Sequence, residues 1–174
     1  MLWYFAYGSN LDPGTFLGRR RMRPRDTRRA RLDGYRLIFD LPVGKGERAV
    51  ANLLPASESH VHGVAYSIGR IQAAWLDRTE GVPRAYRRVE IPLVFEDAPG
   101  GEAFTYVSER RTPGRKPSER YMNLLLRGAR HHGLPEDYVA WLRGIELALD
   151  ERNAQLELDL GRDDRSSLGF QTNA

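Results

Sequence analysis

Two short stretches hold residues able to do proton and acyl chemistry if they meet: Tyr7-Gly8-Ser9-Asn10 near the amino terminus, and Glu80 further along. In the first, the apolar run Tyr4-Phe5-Ala6 passes straight into a small polar turn. Glycine at position 8 lets the backbone approach a bound group with no Cβ between them. Ser9 and Asn10 add a hydroxyl and an amide to the exposed N–H groups. Glu80 stands just before Gly81 and Pro83, which are suited to stop a short helix opened at Gly69-Arg70. A carboxylate in the last turn of a helix faces the negative end of the helix dipole, so ionisation is disfavoured. Partial burial beside Trp75 or the tyrosines would push its pKa the same way, toward the range of a proton shuttle. Taken singly, a Gly-Ser-Asn turn is plain turn chemistry and a glutamate at a helix end is a solvated side chain. The functional reading therefore requires the two to share a pocket.

Other constellations are less specific. His60 and His62 lie two apart on a strand face, but no third ligand has recognisable metal spacing. His131-His132 falls beside a helix end, where an imidazolium would complement the dipole as a cap. Gly44-Lys45-Gly46 lacks the length and hydroxyl of a phosphate loop and reads as a hairpin. Asp77 and Glu80 sit one helical turn apart, too close for a two-carboxylate glycosidase.

The 174 residues, about two fifths hydrophobic, suffice for one sizeable core and favour a single domain. No run of eighteen apolar residues and no secretory leader pattern is visible, so a soluble, cytoplasmic protein is expected. With no cysteine, thiolate nucleophiles, thiolate metal sites and disulfides are excluded. The net charge of +4 is concentrated: Arg19 to Arg31 holds eight arginines against the single acid Asp26. The rest of the chain is thus about −3, which argues against a broad nucleic-acid groove and reads this span as a solvated face or surface arm.

The elements that must position these residues follow from periodicity. Residues 2–7, 34–41, 49–54 and 62–68 read as strands. A short helix then places Ile71, Ala74 and Trp75 on one face. Residues 87–95 alternate as a half-buried strand, turn at 98–101, and pair with 102–109, which brings Tyr106 into the sheet that follows Tyr86. Both tyrosines could line one cavity or simply fill the sheet's core. A helix opens near Pro117-Ser118 with Tyr121, Leu124, Leu125 and Ala129 as its stripe, and Gly133 ends it. Another begins at Pro135, with Tyr138, Leu142, Ile145 and Leu149 facing inward. A domain over residues 1–160 and a polar, mobile tail over 161–174 are expected.

The segments 4–11 (YFAYGSNL), 76–82 with Tyr86, 117–121 and 128–138 (GARHHGLPEDY) together resemble the gamma-glutamylcyclotransferase family, of the AIG2-like superfamily, in order and spacing. The resemblance implies an α+β fold, a single-domain mixed β-barrel with surrounding helices, and a cavity at one barrel end. It implies cyclisation of a gamma-glutamyl amine or dipeptide to 5-oxoproline with release of the amine, as in glutathione metabolism, with no metal and no cofactor. Glu80 is nominated as general acid/base, and Tyr7, Gly8, Ser9, Asn10, Leu11, Tyr86 and Tyr106 as substrate-binding residues. The partner would be a small-molecule gamma-glutamyl substrate, the protein a monomer or homodimer, and no membrane is involved. The competing reading is a non-catalytic binding module of the same fold, with an anionic or nucleic-acid partner at Arg19 to Arg31.

Overall fold

Strand β1, Leu2–Ala6, is apolar throughout, and its successive residues Tyr4, Phe5 and Ala6 are all buried, so both of its faces are covered there. A computed structural model describes residues 1–149; the expected boundary near 160 and the polar tail at 161–174 lie outside the described residues. Strand β2 is Asp26–Pro42, β3 is Arg48–Ile68, β4 is Arg87–Phe95, β5 is Gly101–Val107 and β6 is Lys116–Pro117. Helix α1 is Arg70–Thr79, α2 is Glu119–His131 and α3 is Glu136–Arg143. β1 runs antiparallel to β3, from Leu2 opposite Ile68 to Ala6 opposite Val64, and parallel to β5 at Tyr4 and Phe104. β3 pairs with β2, β2 with β4 and β4 with β5, all antiparallel, so five strands close on themselves. Closure removes the unpaired edges that an open sheet would expose. β6 adds in parallel to the outer end of β3.

The two strands expected at 49–54 and 62–68 are one continuous strand. Pro55 sits opposite Tyr35 beside a register shift between Asp33 and Tyr35, where Gly34 has φ +77. Proline has no N–H for the ladder, so a bulge is the place a long strand tolerates it. Of the two readings of the arginine span, a solvated face or a surface arm, the structure has the face: Arg19, Arg21, Arg23, Arg25 and Arg29 are exposed on ordered backbone. Residues 14–19 form a π-helical turn and 26–31 belong to β2, whose inward positions are Ala30 and Leu32. The outward arginines are paired locally, Arg29 with Glu96 and Arg31 with Asp33, and Arg28 also covers the Trp3 ring at 5.6 Å.

Helix α1 turns the opposite face inward from the one its periodicity suggested. Ala73 and Leu76 are buried, whereas Ile71 and Trp75 are exposed. The apolar triad at 71, 74 and 75 lies on the solvent side because the barrel needs only a narrow contact from this helix. Helix α3 stops at Arg143, capped by Gly144, so Tyr138 and Leu142 are buried but Leu149 is exposed. No described helix is long and apolar enough to cross a membrane.

Helix α2 begins as read, with the Ser118 hydroxyl accepting from the Tyr121 N–H at 3.3 Å, and ends at Gly133 with φ +65. It buries Met122, Leu125, Gly128 and Ala129, leaving Tyr121 and Leu124 half-buried at its edge. Gly128 lets this helix press on the turn after β1, since a Cβ there would lie 2.3 Å from the Leu11 carbonyl carbon and 2.5 Å from its oxygen. Both are backbone atoms that no rotamer change relieves. Gly128→Ala is expected to cost about 2 kcal/mol, within the usual range for overpacking. The urea midpoint reads it, and an unchanged midpoint would show that α2 does not bear on the turn.

Candidate active site

The chain leaves β1 through Tyr7 and Gly8 into a tight 3-10 turn, Ser9–Leu11, closed by the Leu11 N–H donating to the Gly8 carbonyl at 2.9 Å. A cavity of about 30 Å³ opens beside this turn, lined by Tyr4, Tyr7 to Asn10, Ala51, Glu80, Tyr86, Tyr106 and Tyr121. Gly8 is required there for space and not for an unusual φ: a Cβ would meet the Tyr121 hydroxyl at 2.9 Å.

Glu80 follows α1 as its C-cap, and Gly81, at φ +73, turns the chain away. Its side chain is only 12 % exposed. One oxygen, Oε1, accepts from Asn10 Nδ2 at 2.9 Å and pairs with Arg20 Nη2 at 2.9 Å. Burial pushes the Glu80 carboxyl above the ordinary value of 4.5, while the Arg20 charge and then the Asn10 hydrogen bond pull it partly back. Of the two shields expected, Trp75 or the tyrosines, the tyrosines surround this carboxylate, while Trp75 is exposed, its indole N–H donating to the Arg20 carbonyl at 3.3 Å.

Five phenols surround the carboxylate, and hydrogen bonds hold each in place. Tyr7 donates to the Tyr106 carbonyl at 2.5 Å, Tyr86 to the Ala51 carbonyl at 2.9 Å and Tyr106 to Asp77 Oδ1 at 2.6 Å. Asn10 Nδ2 donates to the Tyr4 hydroxyl at 2.8 Å, and the Ala51 N–H donates to the Tyr121 hydroxyl at 3.1 Å. Burial, first among the causes, raises the pKa of all five, that of Tyr121 to about 12, so they act as neutral hydrogen-bonding groups. Asp77 belongs to a separate contact, paired with Arg88 at 3.3 Å.

Of the residues singled out in the sequence, Tyr7, Gly8, Ser9, Asn10, Glu80, Tyr86 and Tyr106 come together at the cavity. Leu11 does not: it is fully buried under Gly128 with no face on the cavity. Tyr4, Ala51 and Tyr121 line the wall unannounced, although Tyr4 and Tyr121 stand in the motifs that carry the resemblance. Arg20 was hidden among eight equivalent arginines, with nothing local to mark it. His132 is not the cationic cap it resembled. Its Nε2 lies 3.0 Å from the Tyr66 hydroxyl and 3.1 Å from the Leu11 carbonyl, and burial, with His131 adding to it, lowers its pKa to about 4. His60 and His62 pack edge to face, and among the described residues no three His, Cys, Asp or Glu gather as metal ligands.

The sequence profile of the AIG2-like family matches residues 60–142. Over 155 residues the chain is 30% identical to the gamma-glutamylcyclotransferase of Mus musculus, covering 82% of this chain and 78% of that one. The chain belongs to the gamma-glutamylcyclotransferase family. It is also 32% identical over 165 residues to the gamma-glutamyl cyclotransferase aclK of Aspergillus oryzae, covering 82% of this chain. It spans 60% of that relative's length. A solved structure titled gamma-glutamyl cyclotransferase superposes with TM-score 0.75 at 23% identity, over 86% of this chain and 90% of its own, and so shares the barrel fold.

Within this cyclotransferase barrel the Arg20–Glu80 pair makes a direct prediction. In an NMR carboxyl titration of the folded protein, Glu80 titrates above 4.5, and Arg20→Gln moves it further up because the cation that favours the carboxylate is gone. A downward movement would show that the pair does not govern this carboxyl.

Proposed function

We propose that the protein cyclises the gamma-glutamyl group of a gamma-glutamyl amine to 5-oxoproline, releasing the amine, with Glu80 as general acid and base. The observation that carries this reading is the buried Glu80 carboxylate sharing one cavity with the Tyr7 to Asn10 turn and hydrogen-bonded to it through Asn10. The substrate's own α-amine is the nucleophile. It is tethered to the carbonyl it attacks, so the entropic part of the barrier is largely met once the chain is held in a curled pose.

An ammonium cannot attack, so Glu80 first accepts a proton from it. The amine nitrogen then bonds to the γ-carbonyl carbon, and negative charge develops on the carbonyl oxygen. As the tetrahedral intermediate collapses, Glu80 gives its proton to the leaving nitrogen and the bond to that nitrogen breaks; the ring nitrogen, made a positively charged NH2 by its attack, then passes its second proton through the re-ionised Glu80 to the released amine, leaving the neutral lactam. A carboxyl whose pKa is raised by burial suits both halves of this exchange better than one near its ordinary value. Asn10 supports the first half. Its Nδ2 is committed to Tyr4 and Glu80, while its buried Oδ1 has no partner and is available to accept from the substrate amine. Backbone N–H groups of the turn and the hydroxyls of Tyr4 and Tyr121, which accept from Asn10 and the Ala51 N–H and keep their own protons to give, are the donors for the substrate carboxylate and the oxyanion. The chemistry calls for no metal, nucleotide or added water. The cavity as it stands admits little more than a water, so substrate entry requires the lining side chains to move apart.

With gamma-glutamyl-alanine as substrate and 5-oxoproline read by mass, Glu80→Gln is expected to lose about a thousandfold in kcat, within the range for general acid–base groups. Its circular dichroism should be unchanged. Appreciable product from that variant removes Glu80 from the mechanism. In the wild-type protein kcat/KM should rise with pH through an acid limb above 4.5, since the ionised carboxylate is the base and its pKa is raised. A limb at or below 4.5 would contradict that assignment.

A further inference from the structure

Outside the small cavity, two larger clefts run one into the other. The first, of about 370 Å³, shares Ser9 and Tyr121 with the cavity and is flanked by Arg19, Arg20, Trp75 and Leu124. The second, of about 190 Å³, continues past Arg19, Tyr121 and Leu124 to Arg48 and Arg120. Among the described residues, every charged side chain lining either cleft is an arginine, and no Asp or Glu lines them. One arginine at each end carries a buried donor with nothing to bond: Nε of Arg20 and Nε of Arg48 are both unpartnered. These Nε atoms are themselves sealed from solvent, so an incoming anion would meet the two guanidiniums through the atoms that line the clefts. Arg20 pairs with Glu80 through Nη2 at 2.9 Å, and the inner cleft shares Ser9 and Tyr121 with the cavity, so the Arg20 end of the trough adjoins the proposed acid/base.

We propose, on the cyclisation reading above, that this trough is the leaving-group site and that it selects amines carrying two separate anionic groups, as in a dicarboxylic amino acid. A single carboxylate needs only one guanidinium, whereas here two guanidiniums stand in adjoining clefts with an apolar wall of Trp75 and Leu124 on the inner one. One anionic group meets Arg20, the methylene body lies along the apolar wall, and the second anionic group meets Arg48 with Arg19 and Arg120 adding to the field. In the loop that follows β5, Arg111 and Arg115 are not free for such a role. Arg111 is paired with Asp40, and Arg115 bonds to the Gly44 and Arg48 carbonyls.

The test compares gamma-glutamyl-glutamate, its neutral near-isostere gamma-glutamyl-glutamine, and gamma-glutamyl-alanine, with 5-oxoproline as readout. At low ionic strength kcat/KM for the glutamate compound should exceed that for the glutamine compound by about tenfold, the size of one charge-assisted hydrogen bond, and the ratio should shrink at high salt. Arg48→Gln should bring the ratio toward one, and Arg48→Lys should restore part of it. A wild-type ratio of one or less, or a ratio indifferent to Arg48→Gln, overturns the proposal. If none of the three compounds yields 5-oxoproline, the cyclisation reading fails by itself. Calorimetric binding of the same three to the wild-type protein then decides this one: tighter binding of the glutamate compound than of the glutamine compound upholds the anion-selective trough, and equal binding ends it.

Discussion

Placing a carboxylate inside the end of a barrel is costly, of the order of several kcal/mol if nothing meets its charge. Glu80 is tolerated there because two donors from distant parts of the chain converge on Oε1. Asn10 arrives from the turn after β1, and Arg20 from the end of the π-helical turn that follows it. Remove either, and the remaining contacts no longer balance the burial that also raises the carboxyl's pKa. The same burial that threatens stability raises the carboxyl's pKa, the direction the proposed proton transfer needs.

That convergence makes demands on the fold. β1 must sit between β3 and β5 so that its end delivers Tyr7 to Asn10 at the barrel mouth. The turn must then be held down, which α2 does by pressing its glycine face, through Gly128, against the backbone of Leu11. The carbonyls of Asn10 and Leu11 meet the Tyr66 hydroxyl and the His132 ring. Leu11 and His132 therefore act behind the turn, and the phenols act in front of it. The hydroxyls of Tyr7 and Tyr86 donate to backbone carbonyls and that of Tyr106 to Asp77, while those of Tyr4 and Tyr121 accept from Asn10 and the Ala51 N–H, giving a wall of fixed polarity around the carboxylate.

Charge divides along the same line. Arg28, Arg29 and Arg31 on β2 face outward and are paired with nearby acids, so the basic span does not form a uniform field. Arginines at 19, 20, 48 and 120 instead gather around the clefts beside the cavity, although they come from a π-helical turn, a strand and a helix. The charge distribution that matters for a ligand is therefore local to the mouth of the site.

Short-range chemistry determined much of this molecule from the sequence alone. The strand at 87–95 alternates because one face is buried, α2 starts where Ser118 can cap it, and Glu80 ends a helix because Gly81 follows with a left-handed backbone. The YGSNL turn and the glutamate were readable because their residue types suit a backbone cradle and a proton carrier, and the spacing of the motifs supplied the family. Only the tertiary structure decided that β3 runs unbroken past Pro55, that α1 turns Ala73 and Leu76 inward, and that α3 ends before Leu149. It alone picked Arg20 from eight arginines and set Tyr4, Ala51 and Tyr121 in the wall. The reason is physical: caps and turns are satisfied by atoms a few residues away, whereas the buried side of a helix and the partner of a buried charge are set by contacts between segments far apart in the chain.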